Sequence, residues 1–238
     1  MKKITAKKFI LLTFLFLGPH LLFAAENSLY EFKWLDEGEK VYVIQNKEHI
    51  KANSFSVDLS LLDSNSSPYQ DTTGISLTFI YYMSETWSLD FTYKQYNNAD
   101  SADLKNLQTL GSAGNEIKPL IRRIDAAKLF HINWIPFYGK VNTFNKLFFF
   151  DWGVGLGFGQ FDTAGNYATF QQKNVSLTLV EESDMGFNFR SFFKFYLGES
   201  MTMGFEYNLS GVQTILSQDE TKEILYYNDI MGSIGYIF

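Results

Sequence analysis

Taken two residues at a time, most of this chain separates into unlike halves. In residues 53–63, Phe55, Val57, Leu59 and Leu61 alternate with Ser54, Ser56, Asp58 and Ser60. Residues 74–82 set Ile75, Leu77, Phe79 and Tyr81 against Ser76, Thr78 and Ile80, and residues 87–96 set Trp87, Leu89, Phe91 and Tyr93 against Ser88, Asp90, Thr92 and Lys94. The same period of two recurs in 127–141 (Phe130, Ile132, Trp134 against His131, Asn133), where Pro136 predicts a bend or an edge. In 147–161, Phe148, Phe150, Trp152, Val154, Leu156 and Phe158 oppose Asp151, Gly153, Gly155, Gly157 and Gly159. Residues 185–197 place Phe187, Phe189, Phe193 and Phe195 against Asn188, Arg190 and Lys194; residues 201–210 place Met203, Phe205 and Tyr207 against Thr202, Glu206 and Asn208. In 226–238, Ile230, Gly232, Ile234, Tyr236 and Phe238 share one face, with Asp229, Met231, Ser233 and Gly235 on the other. Side chains alternate across a strand, so these are eight predicted strands with unlike faces.

The connections add independent information. Those after the second, fourth and sixth strands are short, at 83–86, around 142–145 and at 198–200. Those after the first, third, fifth and seventh span about 64–73, 97–126, 162–184 and 211–223. Tight turns at one end and long loops at the other fit a transmembrane β-barrel with periplasmic turns and extracellular loops. Alternation alone also fits a soluble carrier whose apolar face points inward. The apolar faces here are built of Phe, Trp, Tyr, Leu and Ile, too bulky together for the inside of eight strands. The opposite faces carry Gly, Ser, Thr and charges of both signs. The expectation is an all-β, antiparallel, up-and-down transmembrane barrel of eight strands over residues 53–238. Tyr81, Trp87, Phe148, Phe195, Tyr236 and Phe238 would form its periplasmic aromatic girdle.

Composition agrees. Among 238 residues, 18% are aromatic and 19% charged, against roughly 25% charged in soluble domains. Mean hydropathy is only −0.11, and no run of about 18 apolar residues follows the N-terminus to make a spanning helix. Residues 1–25 read as a signal peptide: Lys2, Lys3, Lys7 and Lys8 precede the apolar stretch 9–17, and cleavage is expected after Ala24 or Ala25. Removing them leaves 16 basic against 26 acidic residues, a net charge of −10. That excludes a nucleic-acid partner, which would need clustered Lys and Arg. Residues 26–52 are expected as a periplasmic segment, either a tail or local strand around 41–45 or a plug. With no cysteine, lipidation at a terminal Cys, disulfides and thiol ligands drop out.

The runs VYVIQNKEHIKANSFSVDLSLLDS (41–64), TTGISLTFIYYMSETWSLDF (72–91), PFYGKVN (136–142) and FFFDWGVGLG (148–157) resemble the myxobacterial-type outer membrane β-barrel domain family. That resemblance implies a small eight-stranded barrel in a Gram-negative outer membrane, with outer-membrane lipid and lipopolysaccharide around it; it brings no assigned activity and no catalytic residues. The terminal strand, with Ile234, Tyr236 and Phe238, is similar to the signal read by the barrel-assembly machinery, which with periplasmic chaperones would be a transient partner. The barrel is expected to be monomeric.

The chemistry-bearing candidates lie mostly on the inward faces. Asp58, Asp90, Lys94, His131, Asp151, Arg190, Lys194, Glu206 and Asp229 would form a network in the bore, because unpaired charges in so narrow a space are costly. Read structurally, the network fixes strand register; read functionally, it is a narrow or gated channel. A lipid-modifying enzyme would need a nucleophile and a base at the barrel rim. Only His49 and His131 remain as histidines beyond the signal, and no catalytic, cofactor or metal site is expected. The alternating glycines of 153–159 lie within one strand, unlike a phosphate-cradling loop, and would give room to large neighbours. Leu104, Leu107 and Leu110 predict a short helix or cap in the longest loop. Lys118, Arg122 and Arg123, at that loop's descending end, are candidates for lipopolysaccharide phosphates. Glu181, Glu182 and Asp184 are a weak candidate for Ca²⁺. The reading is a structural or surface-interaction barrel without catalysis.

Overall fold

A computed structural model describes residues 47–110, 119–143, 146–166, 179–215 and 222–238. The predicted signal peptide, most of the segment 26–52, and Lys118 lie outside these residues. Eight strands, β1 (Phe55–Ser67), β2 (Gln70–Tyr82), β3 (Trp87–Asp100), β4 (Arg122–Thr143), β5 (Lys146–Gly165), β6 (Val180–Leu197), β7 (Met201–Ile215) and β8 (Lys222–Ile237), pair in sequence order. Every neighbour is antiparallel, and β8 returns to β1, from Ser56↔Ile237 to Asn65↔Asn228, closing the barrel. One helix, α1 (Ala102–Leu110), follows β3. Ser101 caps it by accepting the Leu104 N–H at 3.3 Å, and Leu104 is buried.

The alternation resolves as the bulk of the side chains required. Leu61 is 70% exposed and Leu156 69%, and Phe79, Phe91, Trp134, Phe158, Phe205 and Ile234 also stand outward. Water would not tolerate so continuous an apolar belt on a monomer. In a bilayer it is the required surface, and all strands exceed the 9–11 residues needed to cross. This is a transmembrane barrel.

The strands run further than the hydrophobic alternation suggests. The expected loop 64–73 is largely ladder: β1 and β2 continue pairing through Ser64↔Thr72, then across a bulge to Ser67↔Gln70, leaving Pro68 and Tyr69 as the turn. β4 begins at Arg122, β6 at Val180 and β8 at Lys222, each before its predicted start. In the β1–β2 extension the buried positions Ser64, Ser67, Gln70 and Thr72 are as polar as the exposed ones, so the hydrophobic period-two signal disappears although backbone pairing persists.

At the short-turn end, Trp87↔Trp134 is the last β3–β4 pair, while β4 continues to Thr143↔Lys146 with β5. The pairing shifts between Trp134 and Phe137, so Pro136 lies in a bulge, where its missing N–H is harmless. The β4–β5 hairpin therefore projects past its neighbour. Residues 47–52, just before β1, lie against it. Asn53 turns the chain into β1 with φ 62°, a left-handed conformation that Asn accepts more readily than most residues.

Candidate functional site

Among the described residues, chemistry concentrates in the bore, and its contents follow from register. Asp90 on β3 lies opposite His131 on β4, and His131 Nδ1 is 2.8 Å from Asp90 Oδ1. His131 and Asn188 flank Gly157 of β5 from either side. With no Cβ between them, His131 Nε2 reaches Asn188 Oδ1 at 2.9 Å across the intervening strand. The same device works one step away: Asn133 and Arg190 flank Gly155, and Arg190 Nε donates to Asn133 Oδ1 at 2.9 Å. Arg190 continues to an ion pair with Asp90, while Asn133 Nδ2 donates to Asp90 Oδ2 at 2.6 Å. Glu206 completes the tier, 3.7 Å from Arg190 Nη1. The alternating glycines of β5 are thus gaps through which β4 and β6 touch.

Two further pairs flank this tier. Towards the short turns, Lys194 Nζ is 2.7 Å from Asp58 and donates to the Tyr82 hydroxyl at 3.0 Å. Towards the long loops, Lys94 Nζ donates to Asp229 Oδ2 at 2.9 Å, and the Tyr96 hydroxyl donates to the same oxygen at 2.9 Å. All nine network residues singled out from the sequence face the bore. Eight are buried and Glu206 is half-buried. The cavity beside Asp58, Lys194, Arg190, Glu206 and Ser233 measures about 20 Å³, room for one water.

The interior is not wholly polar, contrary to the expected lumen of small and charged residues. Leu62, Ile124, Leu129, Phe161, Val212, Tyr227 and Met231 form a buried cluster towards the long loops. Ile80, Tyr82, Ile135 and Phe192 form another towards the short turns. Strand parity holds their signal: Phe161 shares the phase of Asp151, Leu129 that of His131, and Met231 that of Asp229.

Lys51 is the residue the sequence did not reveal. It is 1% exposed and forms an ion pair with Asp151, whose Oδ2 also accepts the Tyr196 hydroxyl at 2.5 Å. Around it, residues 47–52 cross the mouth. Lys47 Nζ is 3.1 Å from Glu85 Oε2, and the Lys51 and Ala52 N–H groups donate to Glu85 Oε1 at 3.0 and 2.8 Å. His49 stacks on Tyr196 with ring centroids 4.2 Å apart. Burial pushes the Lys51 ammonium below its usual value, opposed by the Asp151 carboxylate. A charge count carried the signal: among the nine network residues, five acids (Asp58, Asp90, Asp151, Glu206, Asp229) face three Lys or Arg cations (Lys94, Arg190, Lys194).

At the opposite end, Arg122 is buried and pairs with Glu182 at 2.8 Å and Asp184 at 3.3 Å. Arg123 pairs with Asp125 at 2.9 Å. Both guanidiniums already hold carboxylates, which weakens their case as phosphate ligands. Two of the acids considered for Ca²⁺, Glu182 and Asp184, hold Arg122 instead, and among the described residues no group of three or more metal-ligating side chains converges. His131 sits in mid-bore, bonded to Asp90 and Asn188, not at a rim beside a serine.

No family model matches the sequence, so the resemblance to the myxobacterial-type family gains no support there. No curated protein matches it either. Among solved structures, the chain is similar to Ail, the attachment invasion locus protein of Yersinia pestis, at 12% identity over 78% of this chain and 97% of that one, TM-score 0.40. It is similar to Neisserial surface protein A at 9% identity, 77% and 95% coverage and TM-score 0.40. It is also similar to the N-terminal β-barrel domain of Pseudomonas aeruginosa OprF at 12% identity, 79% and 98% coverage and TM-score 0.40. At these scores the likenesses add nothing to the fold already read from the strand pairing.

Proposed function

We propose that the chain is an integral outer-membrane barrel of a Gram-negative envelope that works as a closed scaffold, carrying its activity on its long-loop, extracellular end. The observation that carries this reading is the filled bore. An eight-stranded cylinder has room for little beyond its own side chains, and here a charge-paired tier stands between two apolar clusters. The short-turn end, with residues 47–52 across it, then faces the periplasm. The work left to such a barrel is stabilising the envelope and contacting lipopolysaccharide or other cell surfaces through its loops. The signal peptide 1–25 and an assembly role for Ile234, Tyr236 and Phe238 belong to the same reading, as does monomeric insertion by the barrel-assembly machinery.

Planar-bilayer recording on the purified barrel tests it. Silence at all applied potentials is expected. Discrete conductance steps would replace the scaffold with the gated channel, because Arg190, between Asp90 and Glu206, could then exchange partners.

A further inference from the structure

Asp151 occupies the inward face of β5 at the short-turn mouth, and no described strand side chain supplies its cation. Lys194 is paired with Asp58, Arg190 with Asp90 and Lys94 with Asp229. The cation comes from outside the strands, as Lys51. The pocket it enters has a definite chemistry. Asp151 Oδ2 accepts both the ammonium and the Tyr196 hydroxyl, while Oδ1 is buried with no hydrogen-bond partner, leaving acceptor capacity unused. The Tyr82 ring lies 5.6 Å from Lys51 Nζ. A buried carboxylate with a spare oxygen, a positioned hydroxyl and an aromatic face suits a group carrying several N–H donors and one positive charge. The segment delivering Lys51 is held from outside by Glu85, and its other face is open to solvent, with Ile50 76% exposed.

We propose that the short-turn mouth is a binding site for a primary alkylammonium group, filled in this conformation by the chain's own Lys51. A free alkyl amine is the ligand class: its ammonium replaces Nζ on Asp151, and its short chain follows the path of the lysine stem past Tyr82. The periplasmic source of such an amine rests on the orientation proposed above. The site itself does not, so its test is independent of bilayer conductance.

The test is chemical complementation on the full-length purified barrel in detergent micelles. Lys51→Ala empties the pocket, and n-butylammonium is titrated while thermal unfolding is followed. Saturable stabilisation is expected in Lys51→Ala. The double variant Lys51→Ala/Asp151→Asn should not respond, and the wild type, where the amine must first displace Lys51, should be stabilised only at higher concentration. Tetramethylammonium, with the same charge and no N–H, should act about tenfold more weakly, because charge-assisted hydrogen bonds are lost. An Nα-acetyl-lysine peptide distinguishes a partner's lysine from a free amine: stronger stabilisation by the peptide would overturn the assignment to a free amine. Absence of stabilisation, or an equal response to tetramethylammonium, would overturn the site. Should Lys51→Ala fail to refold, Glu85→Gln with Lys51 intact serves instead. There butylammonium must compete with Lys51 and saturably accelerate tryptic cleavage after it, and unchanged cleavage would overturn the proposal equally.

Discussion

Gly157 is where the packing of the bore can be tested with one methyl group. A Cβ at that position would lie 2.2 Å from His131 Cδ2 and 2.6 Å from Nε2. The imidazole cannot swing away without cost: it is 1% exposed and tied to Asp90 at 2.8 Å and Asn188 at 2.9 Å. Gly157→Ala must therefore displace the ring. Overpacking costs about 1–3 kcal/mol, and a buried hydrogen bond left unmade costs about 1–3 kcal/mol more. The stiffer alanine backbone returns about 0.5–1 kcal/mol. Net destabilisation of roughly 3 kcal/mol follows. Gly159→Ala should cost more, since its Cβ would meet the Lys128 carbonyl oxygen at 1.9 Å, and backbone must move. Gly232→Ala is the control: nothing lies within 4 Å of its Cβ, so stability should stay within about 0.5 kcal/mol of the parent. The assay is urea unfolding of each variant in lipid vesicles, followed by tryptophan fluorescence, with equal m-values. If Gly157→Ala matches Gly232→Ala, the inter-strand contact through Gly157 is not what holds the network.

Three further outcomes follow from the same geometry. Arg190→Met strands Asp90 without its guanidinium and should cost about 3–5 kcal/mol in the same urea assay; adding Asp90→Asn should recover part of that loss, and strict additivity would show the pair is uncoupled. Leu156→Arg puts a charge on the lipid-facing belt and should cost about 2–4 kcal/mol in vesicles, whereas no cost would mean that face meets water. Acidification should loosen residues 47–52. Burial pushes the Glu85 carboxyl up, but the Ala52 N–H, the Lys47 ammonium and the Lys51 N–H outweigh it and hold it below 4.5, so its stabilisation is lost as pH falls through that lower value. Burial likewise holds His49 below 6.5, against the nearby Glu48 and Asp151 carboxylates, so the folded segment loses stability as pH falls from 6.5 to its depressed value. Amide exchange protection of Lys51 and Ala52 should decline across that interval, and constant protection would refute the assignment.

The membrane-facing half of the molecule was legible because lipid imposes one rule on every outward position. Phe148 through Phe158 obey it without exception, and Asp151 fixes the phase. Legibility failed wherever that rule stopped acting. At Ser64–Ser67 and Gln70–Thr73 the buried face is as polar as the exposed one, so a paired ladder looked like a loop. Inside the bore, Leu129 and Phe161 interrupt an otherwise polar face, and isolated apolar residues read as noise until six of the eight strands converge on one cluster. Arg122 looked available because its carboxylate partners, Glu182 and Asp184, become neighbours only in the folded barrel, whereas the partner of Arg123, Asp125, stands two residues on along the same strand. Lys51 has no periodic context at all. Its partner Asp151 is a hundred residues along the chain, and only the excess of inward acids over inward strand cations pointed to a missing positive charge.

The arrangement of the bore bears on how the two ends of the barrel can work. A wholly ionic filling would carry a desolvation cost for every charge, and a wholly apolar one would lose the directional contacts that fix eight strands in register. This chain places its paired charges in tiers and sets apolar clusters towards both ends, so beyond the one water that fits beside Arg190 and Glu206, water that could let pairs exchange is kept out. Among the described residues, the apolar cluster towards the long loops separates the ionic bore from the loop end, so binding at one mouth is poorly placed to reach the other. The loop end and the Lys51–Asp151 mouth should therefore behave as independent sites, so filling the Lys51→Ala mouth with amine should leave the lipopolysaccharide contact proposed for the loops unchanged.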